Sequence, residues 1–183
     1  MGFYSPAVLI KDAVRHGLRV RPIDVQHSHW LCSLEEEPDS SHSLRIGMNY
    51  AKGLRQVSAD ALLAARSNDG IFDSVDDLAA RVPELNRKEL VLLARIGALN
   101  SLGKVEHRRD ALWQVEEAGR PVGPLLRNAN AAQKHEIVSM PLKRMTTDER
   151  LAADYAGTGL TTSPHPHGIS EGHTSFQRVS FSR

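Results

Sequence analysis

The chain has 183 residues and a formal net charge of only +1, which excludes a global basic field that would attract polyanions. Aromatic residues make up 5% of the sequence, so a helical core of Leu, Val, Ile and Ala is favoured over a β-sandwich. The single cysteine, Cys32, excludes an intramolecular disulfide and a Cys-rich metal site. Neither a signal-peptide pattern nor an apolar stretch of membrane length is present, which predicts a cytoplasmic protein without a membrane partner.

The first elements are predicted by local signals near the N-terminus. Ser5 and Pro6 favour a helix start and Gly17 favours a helix end, with apolar residues at helical spacing between them. Residues 18–25 alternate in polarity, which is typical of a short edge strand. Residues 35–43 are acidic and rich in serine, so we expect a loop or a boundary there.

The most regular part of the sequence runs from residue 44 to residue 119. Its apolar spacing predicts short helices at 45–51, 57–66, 75–82, 87–96 and 108–118. Two helix starts carry a capping pair: Ser74 with Asp77, and Asn86 with Glu89.

The remainder is predicted to be less regular. Residues 121–143 have the composition of a loop, and Thr146 with Glu149 forms a capping box for one further helix that ends near Gly157. After residue 163 the chain has few apolar residues and no visible reason to pack. We interpret the histidines of this tail as unstructured rather than metal-binding: His165, His167 and His173.

Two pairs of predicted helices are separated by a short turn, at 52–55 (the first turn) and at 83–86 (the second turn). Such a hairpin presents the N-terminus of its second helix, where free backbone N–H groups and the helix dipole favour a phosphate. Contacts of this kind hold a duplex without reading its sequence. The predicted contacts are Lys52, Gly53, Leu54, Arg55 and Ser58 at the first turn, and Asn86, Arg87 and Lys88 at the second.

The residues alone leave other interpretations open. A purely structural pair of helices explains the same periodicity. Arg55 stands where helix-hairpin-helix turns usually carry a second glycine, and arginine adopts positive φ only with strain. We interpret the adjacent Asp76 and Asp77 as a solvated first helical turn, because successive helical side chains point about 100° apart and share a metal poorly.

Several motifs follow one another in a continuous order from residue 1 to about residue 166. They are 2–6 (GFYSP), 20–25 (VRPIDV), 44–47 (LRIG) with 52–54 (KGL), 72–78 (FDSVDDL), 85–90 (LNRKEL), 96–103 (IGALNSLG), 108–113 (RRDALW) and 145–151 (MTTDERL). Together they resemble the bacterial C-family DNA polymerases (the DNA polymerase III alpha subunit family), and the error-prone subfamily especially.

This resemblance implies a mainly α fold. Short helices would form tandem helix-hairpin-helix motifs, with a small α/β N-terminal remnant and a disordered C-terminal tail. The implied division is 1–34 as the end of the polymerase fingers, 35–43 as a loop or boundary, 44–119 as the tandem helix-hairpin-helix DNA-binding domain, 120–160 as an exit segment with one helix, and 161–183 as a tail outside the family pattern.

The family performs DNA-templated nucleotidyl transfer with two Mg²⁺ ions held by palm aspartates, which lie upstream of the stretch matched here. We therefore expect no cofactor in this chain and no polymerase activity from it alone. The implied role is the DNA-binding portion of an error-prone polymerase in replication and damage-induced translesion synthesis. Its partners would be the duplex backbone, the rest of the polymerase and the sliding clamp. The alternatives are a non-catalytic protein-interaction fragment and an inactive pseudogene product.

Overall fold

The computed structural model describes residues 4–38, 41–103, 105–118 and 143–160. In these ranges the chain forms six α-helices and three short strands. In chain order they are α1 (Pro6–Arg15), β1 (Arg19–Arg21), β2 (Ser33–Glu36), β3 (His42–Arg45), α2 (Gln56–Asp69), α3 (Val75–Arg81), α4 (Arg87–Arg95), α5 (Arg108–Ala118) and α6 (Thr147–Thr158). The predicted mainly helical fold with a small α/β N-terminal part is confirmed.

Helix α1 begins and ends where its sequence signals place it. Pro6 occupies the first helical position after Ser5, and Gly17 follows the helix with a φ of 92°. None of the side chains of α1 is buried, and its apolar residues Val8 and Leu9 are 49% and 57% exposed. The helix therefore packs against the core only through half-buried residues such as Ala7 and Ile10, and leaves other apolar side chains exposed.

The three strands form one sheet in the order β1-β3-β2. Strand β1 runs parallel to β3 and lies at an edge, which confirms the predicted edge strand, while β2 pairs antiparallel with β3. The prediction of a loop over 35–43 is wrong at both ends of that range, because those residues belong to β2 and β3. Arg45 of β3 donates to both oxygens of Glu35 in β2, at 2.7 and 2.8 Å, and so links the two strands.

The helix predicted over 45–51 is also wrong. Residue 45 ends β3, and only Met48–Tyr50 form a helical turn, of the 3-10 type. The backbone here bonds to distant segments: the Ile46 N–H donates to Arg21 O at 3.0 Å, and the Met48 N–H donates to His29 O at 2.9 Å. These long-range bonds replace the i to i−4 ladder that a helix would need.

The four remaining helices of the predicted series match the structure within a few residues. They enclose a core of aliphatic side chains with one large aromatic residue, Phe72, as the composition predicted. The fully buried large side chains include Met48, Leu62, Leu78, Val82, Leu93, Leu99 and Leu102. This core fixes the position of the two turns, since α4 packs against both α5 and α6.

Helix α6 docks with its backbone unusually close to the end of α4. It starts at the predicted capping box of Thr146 and Glu149. A Cβ added to Gly157 would lie 2.3 Å from Ile96 Cγ2, so only glycine allows this approach. The Gly157 carbonyl accepts a hydrogen bond of 2.7 Å from the Lys52 N–H, and α6 therefore supports the first turn directly.

Two predicted regions lie outside the described residues. They are most of the loop at 121–143 and the tail at 161–183 with its three histidines. In the part of the chain that the structure describes, no helix is both long and apolar enough to cross a membrane. The division of the chain into polymerase regions stays a prediction.

Candidate nucleic-acid interface

The first turn is shaped by one glycine and one buried leucine. Gly53 has a φ of 105°, a backbone conformation that other residues adopt only with strain. Leu54 is 7% exposed and anchors the turn in the core. Arg55 has a φ of −79°, so the replacement of a second glycine by arginine introduces no backbone strain.

A buried carboxylate joins the first turn to helix α4. Glu89 is 1% exposed, and its Oε1 accepts bonds from the Arg55 N–H at 2.9 Å and from Arg55 Nε at 3.0 Å. Its Oε2 accepts a bond of 3.0 Å from Arg55 Nη2. Arg55 Nη2 also donates to the Glu84 carbonyl of the second turn at 2.6 Å. Arg55 is therefore committed to bonds within the protein.

Ser58 belongs to the same network. Its side chain is fully buried, and its Oγ lies 3.1 Å from Glu89 Oε2 and 3.0 Å from the Glu84 carbonyl. The single hydroxyl proton serves one of these acceptors at a time. These positions argue against the direct DNA contacts predicted for the Ser58 and Leu54 side chains, which are both buried. Both residues instead hold the first turn in place.

The network keeps Glu89 ionised. Burial raises the pKa of this carboxyl, but the hydrogen bonds from Arg55, Asn86 and Ser58 outweigh burial and lower the pKa to about 2. Glu89 is therefore negatively charged at neutral pH and balances the charge of Arg55.

The second turn is closed by a local capping box. The Glu89 N–H donates to Asn86 Oδ1, and the Asn86 N–H donates to Glu89 Oε2, both at 3.0 Å. This confirms the predicted Asn86–Glu89 capping pair. The two oxygens of Glu89 thus serve both helix starts: Oε1 bonds to the residue before α2, and Oε2 bonds to the residue before α4.

Each helix start retains free backbone donors. The N–H groups of Gln56 and Val57 in α2, and of Arg87 and Lys88 in α4, have no hydrogen-bond partner among the described residues. All four residues are exposed. Glu89 accepts a bond from the residue before α2, and Asn86 accepts one from the first turn of α4, so part of each helix start is already bonded within the protein. Two adjacent N–H groups at each start remain able to bind an anion.

The exposed cations differ in how far they are already paired. Lys52 is exposed, and its Nζ lies beside the C-terminal end of α6 at Gly159. Lys88 is exposed and forms no ion pair with a described carboxylate. Arg87 is paired with Glu116 of α5, and both side chains are about half exposed. Of the four basic residues at the two turns, Lys52 and Lys88 are therefore the two that reach solvent without a carboxylate partner among the described residues.

Glu89 is the residue that the sequence did not assign to the site, although its capping signal with Asn86 was visible. Both residues of the adjacent acidic pair lie in the first turn of α3, where Asp76 is exposed and Asp77 accepts bonds from the Asp73 N–H and from Arg81, each at 3.1 Å. Within the described ranges no group of three or more His, Cys, Asp or Glu side chains could hold a metal. These residues do not fit the two-Mg²⁺ site of a polymerase, and no nucleotidyl-transfer step is assigned to them.

Comparisons with known proteins agree with this geometry. Residues 17–111 match the family model for the helix-hairpin-helix motif, which covers the sheet, both turns and the start of α5. The chain is 43% identical over 168 residues to an error-prone DNA polymerase of Alkalilimnicola ehrlichii, an alignment that covers 91% of this chain and 15% of the relative.

Two further relatives carry the same name. The error-prone DNA polymerase of Pseudomonas aeruginosa is 38% identical over 183 residues, which cover all of this chain and 17% of the relative. That of Methylococcus capsulatus is 39% identical over 184 residues, with 91% and 17% covered. The predicted resemblance to error-prone polymerases is confirmed, and the chain spans about a sixth of the length of these relatives.

Proposed function

Because the chain belongs to the helix-hairpin-helix motif family, we propose that it binds duplex DNA through phosphates at the N-termini of α2 and α4. One observation carries this proposal: a single buried carboxylate, Glu89, holds both helix starts in one rigid arrangement. Two starts fixed relative to each other can contact two phosphates without an entropic cost of ordering the protein on binding.

The contacts proposed are backbone donors supported by lysines. The N–H groups of Gln56 and Val57 would meet one phosphate with Lys52 beside them, and those of Arg87 and Lys88 would meet another. Gly53 lets the duplex approach the first turn closely, because no side chain projects there. Asn86 contributes by shaping the second turn. Such contacts carry no base information, so binding is independent of sequence.

The names of the relatives suggest the setting. We propose that this segment grips the duplex for an error-prone DNA polymerase during replication and translesion synthesis in the cytoplasm. The chemistry of that enzyme requires metal-binding carboxylates that the described residues do not supply. The proposed contribution of the described residues is therefore to position DNA.

A salt titration tests the proposal. Fluorescence anisotropy of the full chain with two short duplexes of unrelated sequence should give equal affinities. The plot of log K against log salt concentration should fall with a slope of about −2 to −4, which reflects a few phosphate contacts. Lys52→Glu combined with Lys88→Glu should abolish binding. The matched control is Lys11→Glu with Arg15→Glu on the exposed face of α1, which should bind like the wild type. A slope near zero would contradict phosphate contact.

A second candidate function is a protein-interaction surface on α1. The specific observation is that this helix buries none of its side chains, while Tyr4 and Val14 are 71% and 49% exposed beside Val8 and Leu9. Exposed apolar faces of this kind mark contacts with other protein segments. The relatives are about six times longer than this chain, so a further polymerase segment is the proposed occupant.

Mutations can distinguish DNA binding at the two turns from protein interaction on α1. Leu9→Glu should remove concentration-dependent self-association or partner binding, which ultracentrifugation measures, and should leave the affinity for duplex DNA unchanged. The Lys52→Glu and Lys88→Glu pair should have the opposite effect. Loss of DNA binding in Leu9→Glu with retained folding would contradict the separation of the two surfaces.

A further inference from the structure

A second basic region lies outside both turns, where the end of α4, the start of α5 and the beginning of α6 meet. It is a cleft of about 320 Å³, and its lining includes Glu106, His107, Arg108, Arg144 and Arg150. The lining carries three arginines and one glutamate, and because Arg108 is paired with Asp154, the excess of positive charge comes from Arg144 and Arg150. The cleft is therefore an electropositive concavity on a chain whose overall charge is only +1.

The walls of the cleft are fixed by two neighbouring arginines of α5. Arg108 is 12% exposed in its side chain and donates to Asp154 Oδ1 at 2.7 Å and to the carbonyls of Arg95 and Arg150 at 3.3 Å each. These bonds tie the end of α4, α5 and α6 together around one guanidinium group. Arg109 binds both α6 and the segment before it, since it donates to Glu149 at 2.9 Å and to the Lys143 carbonyl at 2.6 Å.

The remaining donors of the cleft are uncommitted. Arg150 is exposed and forms no ion pair with a described carboxylate, and its one hydrogen bond, to Thr147 Oγ1, is long at 3.4 Å. Arg144 lies 3.9 Å from Glu106, and both side chains are about three-quarters exposed, so their attraction is largely screened by water. The two guanidinium groups thus retain their donors for an anion.

His107 adds a hydrogen-bond donor, and the bond that its ring already accepts shows which nitrogen donates. The Asp110 N–H donates to His107 Nδ1 at 3.1 Å, so this nitrogen is the acceptor and carries no proton. In the neutral ring the proton therefore resides on Nε2, which becomes a hydrogen-bond donor. Planar guanidinium groups together with a neutral imidazole donor suit the oxygens of a phosphate.

We propose that this cleft binds a backbone phosphate of the same duplex as the two turns, which makes it a third contact. The inference rests on the proposed function and extends it. The cleft lies at the C-terminal end of α4, since Arg108 bonds to the Arg95 carbonyl, whereas the second turn lies at the N-terminal end. The nine residues of α4 span about 13 Å, close to the width of a DNA major groove, so one duplex can reach both ends.

The test is a double substitution that removes charge at exposed positions only. Arg144→Gln with Arg150→Gln should weaken binding of a short duplex about 5- to 30-fold, and should make the salt slope shallower by about 2, because two charge contacts are lost. Lys11→Gln with Arg15→Gln is the matched control and should change neither quantity. Circular dichroism checks folding, which should persist because both side chains are exposed and the bond of Arg150 to Arg108 is made by its backbone carbonyl. An unchanged affinity and slope in the cleft variant would overturn the proposal.

A second measurement separates this inference from the duplex-binding proposal itself. Inorganic pyrophosphate should shift the NMR signals of the His107 ring and of the arginine side chains in the wild type, and not in the cleft variant. If the wild type binds no duplex, the proposed function fails, and the third contact with DNA fails with it. Pyrophosphate shifts would then identify only a site for a small free anion. If pyrophosphate causes shifts but the two substitutions leave duplex binding unchanged, the cleft is a site for a small free anion only. That result would overturn the proposal. If pyrophosphate causes no shifts and the two substitutions leave duplex binding unchanged, the cleft does not bind an anion, and the proposal is overturned.

Discussion

The two helix starts of this protein present similar free N–H groups but are built by different means. The second turn is closed by Asn86 and Glu89, which are three residues apart on the same helix. The first turn has no cap from its own helix: its N–H group at Arg55 bonds to Glu89, on another helix, and the N–H of Lys52 bonds to Gly157 on α6. One helix start is therefore specified locally, and the other depends on the assembled fold.

This difference makes Glu89 the common element of both sites. Its loss should affect the first turn more than the second, since α4 keeps the Asn86 side chain as a cap. The conformation of the first turn thus depends on contacts with α4 and α6. An isolated peptide that carries the first turn alone would not retain its conformation, because the bonds that hold it come from elsewhere.

The largest expected effect comes from Glu89→Ala. The change removes the acceptor of the Arg55 N–H, of Arg55 Nε and of the Asn86 N–H, which should lower the free energy of unfolding by about 3 kcal/mol. Urea denaturation followed by circular dichroism measures this loss. The control is Glu84→Ala, since Glu84 contributes only its backbone carbonyl and should change stability by less than about 0.5 kcal/mol. Equal stabilities of the two variants would contradict the central role of Glu89.

The pH dependence of stability should reveal the same residue. The pKa of Glu89 is lowered from 4.5 to about 2 in the folded protein, so its stabilising effect is complete above pH 4.5. The effect decreases as the pH falls toward 2, and amounts to about 3 kcal/mol. Glu89→Gln should be less stable than the wild type at neutral pH, and the difference should shrink steadily in acid. A constant difference across that range would show that the carboxylate charge is not what stabilises the two turns.

Short-range signals predicted most of the helical fold. The capping pairs Asn86 with Glu89 and Thr146 with Glu149 place the starts of α4 and α6 correctly, because both partners lie within one helical turn. The helix predicted over 45–51 failed for the opposite reason. The backbone of Ile46 and Met48 bonds to segments more than fifteen residues earlier, and no local pattern contains that information.

The candidate site, like the fold, could be predicted only where short-range sequence signals specify it. Sequence patterns identified both turns and the exposed lysines Lys52 and Lys88, because Gly53 marks the first turn, the Asn86–Glu89 capping pair marks the second, and basic residues flank both. They did not show that Arg55 is paired with Glu89 or that Ser58 is buried, since both facts depend on how the two hairpins pack. The cleft around Arg150 depends on the docking of α6, which is likewise invisible to a local reading of the chain.

A substitution of Asn86 should have a smaller effect on stability, and its structural effect should be limited to the second turn. Asn86→Ala removes the side-chain cap of α4 and should lower stability by about 1 kcal/mol. The amide NMR signals of Arg87 and Lys88 should move, while those of Gln56 and Val57 should stay close to their wild-type positions. Asn86→Ser keeps a capping oxygen and should restore most of the stability. Equal shifts at both helix starts would show that the two turns are coupled more tightly than their separate caps indicate.

The smallest expected effect distinguishes the two turns as DNA contacts. Lys52→Gln and Lys88→Gln should each weaken duplex binding about 2- to 5-fold and make the salt slope shallower by about 0.9, because each removes one unpaired cation. Arg87→Gln should have less effect than Lys88→Gln, since Glu116 already neutralises that arginine. Anisotropy titrations over a salt series measure all three, and Lys11→Gln on α1 is the control. If Lys88→Gln weakens binding and Lys52→Gln does not, only the locally capped helix start meets DNA. The first turn would then act, through Glu89, as its support.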